Sequence, residues 1–258
     1  MDRVRPSATF LAAPFAPDVL RPGARFAFLG IPQGVAYVGH REPSHAVGAP
    51  DAVRAAALVY AGDVCNYDFD AGGPLFPDGV GGCLVDCGDV RGDPRDVPGS
   101  MARATRTIEA LAAAGSIPLV VGGDHAITSQ VVRGLPGEEQ LDVLHVDAHL
   151  DFLDERDGVR DGYSSPVRRL RDLSWVRRVV HVGLRDIGSA RAEEVAAARA
   201  AGNTLITAAE VHERGVVDVI RASSPVRACT SRSMSMGWIP VALPARCGRR
   251  PAGCGSGR

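Results

Sequence analysis

Ile117-Pro118-Leu119-Val120-Val121-Gly122-Gly123-Asp124-His125 and Val143-Leu144-His145-Val146-Asp147-Ala148-His149-Leu150-Asp151 decide how this chain is read. Each is a short apolar run that stops at a cluster of aspartate and histidine. Runs that are apolar almost throughout fit strands buried on both faces, which is the habit of parallel sheets. In open parallel sheets ligands bind beyond the carboxyl ends of the strands. The two polar clusters are therefore expected to face one crevice.

Outward from this pair the pattern repeats. Strands are predicted at Phe26–Ile31, Cys83–Asp86, Ile117–Val121, Val143–Asp147, Val179–Val182 and Leu205–Thr207. Helices are predicted at Pro50–Tyr60, with proline near its start, at Ser100–Ala114, capped by Ser100, at Ala126–Arg133 and at Ala190–Ala201. Alternating strands and helices predict an α/β fold with a mostly parallel sheet covered on both faces. Residues 1–25, rich in proline, read as a loose N-terminal arm, and no internal repeat is visible.

The bulk numbers set bounds. A chain of 258 residues with 45% hydrophobic and 23% charged residues suits one large soluble domain. A net charge of −1 provides no basic footprint for nucleic acid or an anionic membrane. No run approaches the roughly 18 apolar residues of a membrane-spanning helix, and no basic-then-apolar leader opens the chain. The expectation is a cytoplasmic protein with neither partner. Cys65, Cys83, Cys87, Cys229, Cys247 and Cys254 have no CxxC spacing and read as incidental thiols. All 29 basic residues are arginine, which points to a GC-rich gene.

His125, Asp147, His149 and Asp151 form a mixed imidazole and carboxylate set. In an extended segment, spacing by two puts residues 147, 149 and 151 on one side, so three ligands could converge. Imidazole with several carboxylates suits a divalent ion such as Mn²⁺ better than the thiolate-seeking metals. Enough carboxylates could hold two ions about 3.5–4 Å apart. His145 and His181, both inside strands, read as structural.

These residues resemble a family. Gly122-Gly123-Asp124-His125-Ala126-Ile127-Thr128 resembles the GGDHxxT/S signature of the ureohydrolases, the arginase/agmatinase family, and Val146–Asp151 resembles their VDAHxD. Gly48–Arg54 resembles the family's GPxAIR helix start, Asp86–Val90 its DxGDV turn and His181–Arg185 its xIGIR strand. The likeness runs from about Phe26 to Ile220. It implies a three-layer α/β/α arginase-like fold, a centre of two Mn²⁺ per subunit, and attack of a metal-bridging hydroxide on a guanidinium carbon. Urea and an amine would be the products. It further implies His125, Asp147, His149 and Asp151 as metal ligands, with Asp147 bridging both ions, a small guanidino substrate, and a homo-oligomer for an intact member.

Two departures qualify the resemblance. Where agmatinase and arginase members carry a substrate-side histidine in an HGTPFRR-like segment, this chain has Tyr163-Ser164-Ser165-Pro166-Val167-Arg168-Arg169. Tyrosine, with a pKa near 10, carries protons poorly at neutral pH. Tyr163, Ser164 and Ser165 are thus substrate-side candidates, and no catalytic residue is assigned. Formimidoylglutamate hydrolysis, whose enzymes include members lacking that histidine, stays open beside agmatine-like hydrolysis.

The second departure is the third signature, SxDxDxxDPxxxPG, with its two further aspartates. After Asp218 the chain has no acidic residue. Shifting the reading frame restores the pattern. Codons spanning Met236–Gly237 and Trp238–Ile239 are then forced to glycine and aspartate, and Ala228–Pro240 as a whole permits V-Y/H-V-S-I-D-V-D-G-L-D-P. A frame change is therefore expected between about Val219 and Ala228. The domain reading is an arm over 1–25, an incomplete ureohydrolase domain over 26–222 and an out-of-frame tail over 223–258. With four of the family's six ligands, this exact chain is expected to be impaired. A non-catalytic relative is the reading from another class, and metal content separates the two.

Overall fold

The computed structural model describes residues 3–19, 23–35, 37, 45–135, 140–188, 190–223 and 237–238. In chain order the elements are β1 (Arg3–Val4), β2 (Phe26–Ile31), α1 (Ala49–Ala57), β3 (Tyr67–Asp68), β4 (Gly73–Pro74), β5 (Leu84–Val90), α2 (Val97–Ala113), β6 (Ile117–Gly122), α3 (Ile127–Arg133), β7 (Leu141–Val146), α4 (Pro166–Leu170), β8 (Val176–Leu184), α5 (Ala192–Ala200), β9 (Thr204–Thr207), α6 (Ala208–Arg214), α7 (Val216–Ser223) and β10 (Gly237–Trp238). β3 and β4 form a small hairpin.

The alternation of strand and helix builds two four-stranded sheets, ordered β1-β5-β2-β6 and β10-β7-β8-β9. Every pairing within them is parallel except that of β1 with β5. Both faces are covered, as the apolar runs require. Ala27, Leu29 and Ile31 of β2 pack with Ile108 and Leu111 of α2 and Val131 of α3, while Phe28 between them packs with Leu84 and Ala13 on the opposite face. In the second sheet, Val176 and Val179 meet Val167 and Leu170 of α4 and Ala198 of α5, and Val180 and Val182 meet Val219 of α7. This is the three-layer α/β/α arrangement expected from the sequence.

Several boundaries differ from those expected. β5 extends to Val90 and β8 runs over Val176–Leu184, because backbone pairing continues past the purely apolar core. α2 begins at Val97, not at Ser100: the side chain of Asp96 accepts from the Gly99 N–H and caps it, leaving Ser100 buried in the first turn against Asp93. α1 ends at Ala57 and passes into a 3₁₀ turn over Leu58–Tyr60. The described part of the arm is packed, not loose. β1 pairs with β5, Arg3 donates to the Cys87 carbonyl, and Ala13 and Val19 are buried. The tail reading falls outside the described residues except for Ser223 and the two residues of β10, whose backbone runs parallel to β7.

One buried cation ties the first sheet together. Arg54 of α1, 1% exposed, donates to both carboxylate oxygens of Asp86 and to Asp89, and its guanidinium lies over the Phe28 ring. Asp86 also accepts from the backbone N–H groups of Phe10 and Gly88, so one carboxylate gathers three segments. Removing the cation would leave two carboxylates in a dry place. Arg54→Ala should therefore cost about 3–5 kcal/mol of stability, read as a lower urea midpoint in the far-UV signal. A midpoint equal to wild type would show that the triad is dispensable.

Candidate metal centre

The site forms where β6 and β7 stop. β6 ends in Gly122-Gly123, and the chain must turn there against the segment after β2. The Gly123 N–H donates to the Ile31 carbonyl and the Asp124 N–H to the Gln33 carbonyl. A Cβ on Gly123 would lie 2.1 Å from the Gln33 carbonyl oxygen, so only glycine permits the approach. Asp124 then accepts from the N–H groups of Val35 and Ala126, binding the two loops. Burial outweighs those hydrogen bonds and raises its carboxyl above the ordinary range. Asp124 thus acts as a loop clamp, and His125, next in the chain, projects into the crevice.

β7 supplies the other half. His125 Nδ1 lies 2.5 Å from Asp151 Oδ2 and 4.0 Å from Asp147 Oδ2, and His145 Nε2 lies 3.6 Å from that same oxygen. The His125 and His145 rings stack, with centroids 5.2 Å apart. One ligand atom from each of His125, His145, Asp147 and Asp151 falls within 4.8 Å of all the others. Of the four positions singled out in the sequence, three meet in this group. His149 does not: its side chain is 63% exposed, and its Nδ1 lies 3.3 Å from the other oxygen of Asp147, Oδ1. The backbone explains this. The segment leaves the extended conformation after Val146, and Asp151 adopts a left-handed φ of 48°. The alternation assumed for residues 147, 149 and 151 therefore does not hold. Aspartate tolerates that conformation better than most residues.

His145 is the residue that sequence reading set aside. It shares strand parity with Asp147, two positions on, and that signal was available in the sequence. Its Nε2 is buried and without a hydrogen-bond partner among the described residues, since 3.6 Å to Asp147 is an ion-pair distance and not a hydrogen bond. Imidazole nitrogen beside the carboxylates of Asp147 and Asp151 is the donor chemistry of a site for a divalent ion such as Mn²⁺. Burial alone pushes the Asp147 carboxyl up. The adjoining His145 ring, the His149 backbone N–H and nearby His125 outweigh it and hold the group well below the usual carboxylate range.

The cluster opens into a cleft of about 940 Å³ whose walls include Glu155, Asp157 and Glu194, with Arg156 and Arg191 among them. Tyr163 and Ser164 line it. Tyr163 packs edge-on against Tyr37, whose hydroxyl accepts from the Ser164 N–H. Ser165 lies deeper: it is fully buried, precedes α4, and its hydroxyl has no hydrogen-bond partner among the described residues.

A family model described as the arginase family matches residues 21–231. The chain is 30% identical over 193 residues to the mitochondrial agmatinase of Gallus gallus, covering 70% of this chain and 54% of that protein. It is 36% identical over 105 residues to the mitochondrial guanidino acid hydrolase of Homo sapiens, covering 40% and 30%. The chain thus spans about half or less of the length of these curated relatives. Among solved structures, the proclavaminate amidino hydrolase of Streptomyces clavuligerus superposes with a TM-score of 0.69 at 27% identity, covering 86% of this chain and 72% of that one. The formimidoylglutamase of Bacillus subtilis gives 0.68 at 22% identity, covering 85% and 65%, a likeness of fold.

Mn²⁺ titrated into the metal-stripped chain should bind with measurable heat. Asp147→Asn and Asp151→Asn should each weaken that binding by about 10–100-fold or more, the loss seen when even an outer partner of a metal ligand is removed. Unchanged affinity in both would disconnect the cluster from metal.

Proposed function

Because the chain belongs to the arginase family, we propose that it is built for metal-dependent hydrolysis of a small guanidino compound, an agmatine-like amine, to urea and an amine. The observation that carries this reading is the position of Asp147. Its Oδ2 faces His125, His145 and Asp151, while its Oδ1 faces His149, so one carboxylate stands between two groups of donors. Asp147 would thus help to hold both ions of a two-metal centre. His125, Asp147, His149 and Asp151 are the proposed ligands of a dimanganese centre, with His149 serving the Oδ1 side. When bound, such ions supply Lewis acidity and bring water into a range where it can act as a nucleophile.

The residues around the centre bind and orient. Glu155, Asp157 and Glu194 make the cleft wall attractive to a cation, and a guanidinium is a planar cation that carboxylates recognise through paired N–H donors. Tyr163 and Ser164 stand on the wall where they can contact the substrate's far end, whereas Ser165 is buried and does not line the cleft. The domain over 26–222 carries this site. Residues 223–258 are proposed to be read out of frame, on the forced glycine and aspartate codons at Met236–Gly237 and Trp238–Ile239. The in-frame parent is proposed to be a cytoplasmic homo-oligomer. Among the described residues no helix is long and apolar enough to cross a membrane.

Formimidoylglutamate is the second reading, favoured by Tyr163 in place of histidine and by Arg156 and Arg191 in the cleft, which could hold a substrate carboxylate. An assay of the full chain and of a frame-restored version with Mn²⁺ separates the readings. The restored chain should release urea from agmatine, and the chain as written should be slower by about 100-fold or more, having lost two carboxylate ligands. Equal turnover by both would overturn the impairment. Formamide from N-formimidoylglutamate, without urea from agmatine, would move the assignment to the second substrate. Resequencing the gene across codons 210–258 should reveal one base gained or lost, and a confirmed frame would refute the out-of-frame reading.

A further inference from the structure

Beneath Asp147 a row of three buried polar side chains crosses the second sheet. His145 on β7 and His181 on β8 are register partners, and Asn203 stands just before β9. Their polar atoms meet in order: His145 Nδ1 to His181 Nδ1 at 2.9 Å, and His181 Nε2 to Asn203 Nδ2 at 3.1 Å. All three residues are buried. The free end of the row is His145 Nε2, 3.6 Å from Asp147 Oδ2.

A neutral imidazole has one donor nitrogen and one acceptor nitrogen, and an amide nitrogen only donates. With the Asn203 amide nitrogen on His181 Nε2, that nitrogen must accept, so His181 carries its proton on Nδ1. That proton is donated to His145 Nδ1, which leaves the His145 proton on Nε2, facing the carboxylate. Burial, reinforced by the adjoining His145, pushes His181 down to about 3, so it stays neutral and the one-donor rule applies. The opposite amide orientation would reverse every link. It would place a bare His145 Nε2 lone pair against the Asp147 carboxylate, so the electrostatics at the far end favour the same direction. The direction also decides what His145 is: a bare Nε2 would be a metal ligand, whereas a protonated Nε2 is a donor that orients one.

We propose that Asn203 is a positioning residue that sets the tautomers of His181 and His145, so that the His145 Nε2 proton faces Asp147 and His145 orients that carboxylate without being a ligand of the metal. The tautomers follow from the placement of Asn203, His181 and His145, from burial and from the charge on Asp147, and only the consequence for metal affinity rests on the metal reading of Asp147. Buried rows of this kind hold a first ligand in its working orientation, and their loss typically reduces metal affinity by about 10–100-fold.

The test uses the full chain, stripped of metal and labelled with ¹⁵N at histidine, with two-bond ¹H–¹⁵N spectra assigned through His145→Gln and His181→Gln. The expected wild-type result is a proton on Nδ1 of His181 and on Nε2 of His145. The reverse pair of tautomers would overturn the proposal, and because no metal is present, it would do so without touching the proposed reaction. Asn203→Asp, whose carboxylate accepts and cannot donate, should reverse both assignments. Unchanged tautomers in that folded variant would remove Asn203 from the role, and should the variant not fold, the wild-type spectrum still decides the direction. In Mn²⁺ titrations His145→Gln, which keeps a donor, should stay within about threefold of wild type, and His145→Leu should lose about 10–100-fold. Equal losses in the two would make His145 a ligand and refute the proposal.

Discussion

Parallel pairing is the constraint on which this molecule depends. In a parallel sheet every strand ends on the same side, so the loops leaving neighbouring strands emerge close together at one edge. β7 and β8 pair from Leu141 with Val176 to Val146 with Val182, and β9 continues the arrangement. That register sets Asp147 just beyond the ladder, His145 opposite His181, and Asn203 within reach of His181. On the other sheet, β2 aligned with β6 brings the Ile31–Val35 segment against Gly123 and Asp124, and this turns His125 toward Asp147 and Asp151.

Carboxylates in partly dry surroundings must find compensation, and this fold uses two kinds. Asp86 and Asp89 are held by Arg54, and Asp142 by Arg177 and Arg178. Those pairs are closed, since the charge is matched by a permanent cation. Among the described residues, the ion pairs of Asp147 and Asp151 are all with histidines, which are neutral or charged as their surroundings dictate. The strand ends therefore keep negative charge and nitrogen lone pairs available where the rest of the molecule has neutralised them. The same excess continues into the cleft through Glu155, Asp157 and Glu194.

The His/Asp cluster and the packing are joined at β7. Its apolar side chains Val143 and Leu144 contact the cores on opposite faces of the sheet, while His145 spends its strand position on a polar row in the interior. A buried polar row is costly unless each member is paired, and its two inner links are made. Two atoms are left open among the described residues, Asn203 Oδ1 at one end and, at the other, His145 Nε2, which faces Asp147. Stability and site geometry are thus set by the same strand, which is why substitutions there are read through tautomer and metal affinity as well as through folding.

The residues themselves determined the α/β alternation, the parallel ladders and the two strand ends at which the site lies, because buried parallel strands leave apolar runs that end abruptly in polar clusters. Gly123 and His125 were legible for the same reason, and so was the resemblance to the ureohydrolases. Local pattern could not locate the α2 cap, since Asp96 and Ser100 are both competent caps and only the backbone path chose between them. Nor could it show that residues 3–19 are packed, because their contacts are with β5, far along the chain. Which donors meet was decided by tertiary structure alone: the left-handed turn at Asp151 breaks the alternation that would have aligned His149, and brings Asp151 to His125. The row from Asn203 through His181 to His145 joins three separate strand segments, and hydrogen bonds between such distant residues leave no periodic signal in a sequence.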